Sequence, residues 1–244
     1  MSLGVTRATL GPMATYVLVH GAFVGGWYWD DLRPRLEKAG HAVEVVPQLP
    51  SSGPDPAALG DLADDAEVVR RHVAAATEEH GEPVVLVGHS YGGMVITELA
   101  DHPDVAHSVY ITAMWPARGA SAFDMLSTLP PLPWIVPGDD GTLRTVDDIE
   151  MLHAWVCADV PIERAAPLLR RTRPQSAASV AMPSSAPEQA HPATYVICEN
   201  DVSVPLTAQE AMAASADHVE RLPSSHAPML SMPDRLVDVL DRIR

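Results

Sequence analysis

The sequence predicts an α/β fold with a mostly parallel, doubly wound sheet and a small, mainly helical cap inserted after the fourth predicted strand. Short apolar runs rich in β-branched residues alternate with helical patterns, the rhythm of βα units joined by right-handed crossovers. Between Trp115 and Pro192 that rhythm breaks, and Pro, Met and Trp take over; beyond it the alternation resumes. Composition agrees with a packed domain, since 244 residues with 47% hydrophobic and 20% charged side chains can bury one large core.

Residues 1–13 show no periodicity and are expected to form a disordered leader. Tyr16, Val17, Leu18 and Val19 read as a buried parallel strand that stops at His20 and Gly21. Trp29, Leu32, Leu36 and Ala39 then recur at helical spacing, with Pro34 tolerable in the first turn and Gly40 as the stop. Residues 42–46 form a second strand. Leu59, Leu62, Ala66, Val69, Val73 and Ala76 make one apolar face of a long helix ending near Gly81. Strand 83–87, helix 94–100 and strand 108–111 follow. Downstream, strand 194–198, helix 206–214 and strand 218–222 lead to a closing amphipathic helix of Leu236, Val239, Leu240 and Ile243 behind Pro233. The core is therefore expected at 14–115 and 192–244, and the cap at 116–191, a stretch too long for an ordinary loop. Trp115 at its border and Phe123, Met125 and Trp134 within it are candidate pocket residues, joined by Phe23 of the first loop.

Charge narrows the partners. Sixteen basic against thirty-two acidic residues give a net charge of −16, which repels nucleic-acid phosphates and anionic membranes. No stretch approaches the roughly 20 apolar residues that span a bilayer, and no signal-peptide pattern opens the chain, so a cytoplasmic protein is expected. Cys157 and Cys198 cannot make a disulfide framework or a multi-cysteine zinc site. His72, His80, His102, His107 and His218 stand singly without metal-ligand spacing, so no metal is expected. Arg164, Arg170, Arg171 and Arg173 read as a solvated face of the cap rather than an anion clamp.

Gly88-His89-Ser90-Tyr91-Gly92 carries the chemistry. It follows a predicted buried strand and precedes a predicted helix, the setting in which a G-x-S-x-G turn lifts its serine above the sheet. The crowded turn excludes Cβ atoms two positions either side, and the following helix places its positive end near the hydroxyl. A serine attacks only when a base takes its proton and a carboxylate fixes the base. In chain order Ser, acid, His, the acid falls after the strand ending at Cys198 and the base after the strand ending near Leu222. Asp201 and His226 occupy those places, with Glu199 and Asp217 as rival acids. His89 is read as packing and His20 as orienting its loop. The backbone N–H groups of Ala22 and Tyr91 are the candidate oxyanion donors.

These motifs resemble the α/β-hydrolase superfamily, and within it the small-capped branch of plant methylesterases, hydroxynitrile lyases and bacterial esterases. The resemblance rests on Val17 to Ala22 with Gly26, Trp27 and Trp29; on Gly40 and His41; on Val87 to Met94; on Cys198 to Asp201 with Val204 and Pro205; and on Ser225 to Leu230 with Pro233. It implies Ser90, Asp201 and His226 as a triad, the amides of Ala22 and Tyr91 as its oxyanion hole, no cofactor, and association into a homodimer through cap surfaces. The lyases carry a threonine and a lysine where this chain has Gly21 and Ala227, so the pattern is closer to the esterases. The expected function is hydrolysis of a small, largely apolar carboxylic ester, a methyl ester among them, through an acyl-enzyme. The alternatives are a lyase, cyclase or thioester-releasing enzyme on the same triad, and a ligand-binding sensor on the same scaffold.

Overall fold

The computed structural model describes residues 13–243, so the expected leader lies outside the described residues except for Met13, which is exposed. A six-stranded sheet forms the centre, with every pairing parallel and the order β2-β1-β3-β4-β8-β9. Its strands are β1 (Thr15–Val19), β2 (Ala42–Val45), β3 (Val84–His89), β4 (Val105–Ile111), β8 (Ala193–Cys198) and β9 (His218–Leu222). The pleat sends alternate residues to opposite faces, and both faces are covered. Tyr16, Leu18, Val85, Val87, Val109 and Ile111 enter one apolar layer. Val17, Val19, Val84, Leu86, Tyr110 and Ile197 enter the other. This is why the strands read as unbroken apolar runs.

Helices α1 (Arg33–Ala39) and α10 (Pro233–Leu240) pack Leu32, Leu36, Leu236, Val239 and Leu240 into the first layer. Helix α2 (Leu62–His80) lines the second with Leu62, Ala66, Val69, Val73 and Ala76, as its spacing predicts. Leu59 lies outside α2 because Asp61 caps the helix two residues later, accepting from the amides of Ala63 and Asp64. Trp29 likewise falls in a 3₁₀ turn (Gly26–Trp29) ahead of α1 rather than in the helix itself. Helices α3 (Gly92–Thr97) and α8 (Leu206–Ala213) complete the second layer, and the short α9 (Pro228–Ser231) precedes α10.

Residues between β4 and β8 hold α4 (Ala122–Ser127), α5 (Ile149–Val156), α6 (Ile162–Leu169) and α7 (Ala177–Ala181). They also hold an antiparallel sheet ordered β5-β6-β7, from Ile135–Pro137, Thr142–Thr145 and Gln175–Ser176. The sequence reading anticipated helices here but not this sheet. Strands of two to four residues are too short for alternation to register, and β7 pairs with β6 across a long stretch of chain. Among the described residues no helix is long and apolar enough to cross a membrane.

Candidate active site

Chain order around the sheet reverses beside β1: β2 lies on one side of it and β3 on the other. In an open parallel sheet such a switch point leaves a crevice at the carboxyl ends of the strands. The loops after β1, β3, β4, β8 and β9 all leave from that edge, and they bring His20–Phe23, Ser90, Thr112, Asp201 and His226 together.

Ser90 sits in the one-step turn from β3 to α3 with φ of 53°, a left-handed conformation that costs a non-glycine residue energy. Close neighbours explain the flanking glycines. A Cβ on Gly88 would lie 2.8 Å from the carbonyl oxygen of Gly92, and one on Gly92 would lie 2.7 Å from the oxygen of Val19 and 2.8 Å from that of His20. Gly92→Ala is therefore expected to destabilise the fold by about 1–3 kcal/mol, the usual cost of overpacking, because the obstacle is backbone and cannot swing aside. A urea melt checks this, and an unchanged midpoint contradicts the steric reading. The Ser90 carbonyl accepts from Gly93 and Met114 amides at 3.0 Å each, which pins the turn. The Ser90 hydroxyl makes no hydrogen bond with a described residue, and Ser90 lies with His226 on the wall of a single cavity.

His226 and Asp201 are joined by a 2.6 Å bond from Nδ1 to Oδ2, with side-chain exposures of 7% and 0%. A carboxylate can only accept, so Nδ1 carries the proton and Nε2 of the neutral ring keeps its lone pair. The carboxylate is fully engaged. Oδ2 also accepts from the Thr112 hydroxyl at 2.5 Å, and Oδ1 accepts from the amides of Ser203 and Val204 at 2.7 and 3.0 Å. Of the rival acids, Glu199 is exposed and faces Arg221 at 3.9 Å, while Asp217 accepts from the Ala193 amide at the opposite end of the strand. Thr112, at the end of β4 with φ of 37°, was not visible in the sequence: nothing local marks it, and its role arises because β4 and β8 are neighbours.

His89 is fully buried beside the site, its ring 4.7 Å from that of His226. Its Nε2–H donates to the His226 carbonyl at 2.8 Å, so it holds the main chain of residue 226, a polar contact where the sequence reading gave packing. Burial pushes the His89 imidazole well below its ordinary value and that of His20 down to about 4. Both rings are thus neutral near pH 7. The His20 Nδ1 lies 2.9 Å from the Gly21 carbonyl, in keeping with a loop-orienting role.

Ala22 and Tyr91 flank Ser90 on the cavity wall, and neither backbone N–H donates to a described residue. Two free amides either side of a serine are suited to hold an oxygen that gains negative charge. Phe23, strained at φ 65°, and Trp134 meet edge to face at 5.7 Å and form part of the same wall. Trp115, Phe123 and Met125, expected there as well, are not on it. Trp115 stacks on Tyr110 of β4 at 4.1 Å. In α4 the helical period turns Ala122 and Leu126 to the cavity, leaves Phe123 63% exposed, and points Met125 into a neighbouring groove against α8. No arginine, lysine, aspartate or glutamate lines the cavity among the described residues. Arg171 and Arg173 instead lie over the Trp27 ring at 4.5 and 4.6 Å, and Arg164 pairs with Asp31 at 2.5 Å.

The segment above the sheet is tied to the site's loops. Ser203 Oγ donates to the Trp155 carbonyl at 2.7 Å, the Ser225 amide donates to Asp159 at 2.9 Å, and the Arg173 amide donates to the Phe23 carbonyl at 2.8 Å. The loops after β8, β9 and β1 are thus each latched to it.

Residues 16–239 match the model of the alpha/beta hydrolase family. A carbendazim hydrolyzing esterase from a Nocardioides species is 40% identical over 122 residues, covering 49% of this chain and 50% of that protein. A pyrethroid hydrolase of Sphingobium wenxiniae is 32% identical over 241 residues, 92% of this chain and 85% of that protein. Among solved structures, a pyrethroid hydrolase from Sphingobium faniae JZ-2 superposes with a TM-score of 0.79 at 29% identity, covering 94% of this chain and 96% of its own. Polyneuridine aldehyde esterase shares the fold, with a TM-score of 0.79 at 24% identity over 94% of this chain and 98% of its own. With its parallel sheet, its strand-to-helix serine turn and a family match over most of its length, the chain belongs to the alpha/beta hydrolase family.

Proposed function

We propose that this protein is a serine esterase that cleaves a small, largely apolar carboxylic ester, methyl esters among them, through an acyl-enzyme on Ser90. The observation that carries the reading is the buried His226–Asp201 pair beside a cavity that also presents Ser90 and two unengaged amides. In the reaction, Nε2 of His226 takes the Ser90 proton as Oγ attacks the ester carbonyl. Asp201 holds the ring in the required tautomer and balances the imidazolium. The amides of Ala22 and Tyr91 receive the oxyanion, each such donor contributing about 10²–10³ in rate. The imidazolium then protonates the departing alcohol, and the same base activates a water that releases the acid.

Wall chemistry supports a neutral substrate. Phe23, Trp134, Leu143, Leu152, Leu169 and Val180 offer apolar surface, and among the described residues no Arg, Lys, Asp or Glu is there to match a substrate anion or cation. Relatives named as esterases or hydrolases, among them the carbendazim hydrolyzing esterase, the pyrethroid hydrolase and an Arabidopsis thaliana methylesterase, support the reaction class. A panel of methyl and aryl esters turned over in heavy-oxygen water tests the proposal. Label is expected in the acid product, together with labelling of Ser90 by a fluorophosphonate probe. Unlabelled product would move the chain to the lyase, cyclase or transfer reading, and an unreactive Ser90 would remove the acyl-enzyme.

A further inference from the structure

Beneath the candidate oxyanion donors lies a buried polar cluster that the esterase chemistry does not use. Its centre is Asp65, an α2 residue with no exposed surface. Oδ2 accepts from the Tyr91 hydroxyl at 2.8 Å, and Oδ1 accepts from the Ser51 amide at 2.8 Å. The Ser51 hydroxyl in turn accepts from Gln175 Nε2 at 2.8 Å. Gln175 also donates to Ser179 at 2.8 Å, and its Oε1 receives the Phe23 amide at 3.5 Å. Backbone bonds run alongside, from the Ser176 amide to the Ser51 carbonyl at 2.7 Å and from the Arg173 amide to the Phe23 carbonyl.

The two ends of this cluster are therefore the residue that follows Ser90 and the residue that follows Ala22. Each neighbours, or is, one of the two amides assigned to the oxyanion. We propose that Asp65 is a positioning residue for the oxyanion hole: its carboxylate anchors the Tyr91 side chain directly and, through Ser51 and Gln175, the strained loop that carries Ala22.

Two features set this apart from ordinary core packing. No lysine, arginine or histidine pairs with Asp65 among the described residues, and burial pushes its carboxyl up to about 6. Near pH 7 it is a buried carboxylate held by hydrogen bonds from neutral groups alone, so removing it orphans the buried Tyr91 hydroxyl and Ser51 amide. Burial also keeps the Tyr91 phenol well above its ordinary value, so it remains a donor to that carboxylate. Second, the cluster bridges five separate parts of the molecule: the loops after β1 and β2, α2, the turn after β3, and the β7–α7 segment lying over the site. An oxyanion donor must be set to within a fraction of an ångström, and small displacements cost about 10²-fold in rate.

This inference rests on the esterase reading. Its test compares the parent with Tyr91→Phe, Asp65→Asn and Asp65→Leu on p-nitrophenyl acetate and on a trifluoromethyl ketone, which becomes an oxyanion when Ser90 adds to it. Tyr91→Phe removes one oxygen and leaves the amide. It is expected to lower kcat about tenfold or more with KM little changed, and to weaken ketone inhibition by the same factor. Asp65→Asn keeps an acceptor for one of the two donors and should fall between the parent and Asp65→Leu. Variants with lowered melting temperature but parental kcat and ketone affinity would overturn the proposal and leave Asp65 a structural residue. Should Asp65→Leu fail to fold, Tyr91→Phe decides alone. A parent that neither turns over the ester nor binds the ketone refutes the esterase reading itself, a distinct outcome.

Discussion

Ser90→Ala is expected to lower kcat toward p-nitrophenyl acetate by about 10⁴–10⁶-fold while leaving the thermal melt near that of the parent. The size of the effect follows from the proposed mechanism, in which the hydroxyl supplies the bond-forming atom and the other groups serve it. With Oγ gone, the two amides and the cavity still bind and polarise an ester, so a residue of rate above water survives. The melt should hold because the hydroxyl has no hydrogen-bond partner among the described residues to lose. Alanine also meets the same backbone demand at φ 53° as serine. Steady-state rates on protein checked for folding by circular dichroism measure this, and equal rates in variant and parent would end the Ser90 proposal.

Asp201→Asn is the second large effect, expected to lower kcat by about 10⁴-fold with modest change in KM. The substitution is nearly isosteric, and its oxygen can still receive the amides of Ser203 and Val204, so the loop after β8 should keep its place. The new NH₂ faces the atoms that Oδ2 served, His226 Nδ1 and the Thr112 hydroxyl. Thr112 can turn its proton away and accept. His226 can satisfy that NH₂ only by presenting Nδ1 as an acceptor, which moves its proton to Nε2 and leaves no lone pair toward Ser90. Slow fluorophosphonate labelling of Asp201→Asn, with an intact melt, is the direct readout. Labelling at the parental rate would show that Asp201 does not set the tautomer.

Parts of this picture are written locally. The apolar runs of β1, β3, β4 and β8, unbroken because both faces of the sheet are covered, and the stripe of period 3.6 along α2 can each be read within a short stretch of chain. The G-x-S-x-G turn is legible for a steric reason, since a serine in that geometry leaves no room for Cβ at Gly88 or Gly92. Other parts are not. Asp201 and Glu199 stand two residues apart with the same chemistry; burial beside Thr112 in one case and exposure beside Arg221 in the other separates them. Phe123 and Trp134 are both aromatic residues of one segment, yet the first faces water because α4 presents Ala122 and Leu126 inward, and the second lies on the cavity wall against Phe23. Asp65 reads in the sequence as one acid among several on a helix.

By itself, then, the amino-acid order determined the parallel α/β layering, the serine turn and the two downstream loops able to bring an acid and an imidazole to it. Side-by-side placement of β4 and β8, which sets Thr112 against Asp201, was decided by tertiary structure, as were the membership of the cavity wall and the Asp65 cluster. The reason is range: turn sterics and element periodicity act over a few residues. The contacts that tune the site join positions such as 65 with 91, 51 with 175 and 112 with 201, and they exist once the sheet has stacked its strands edge to edge.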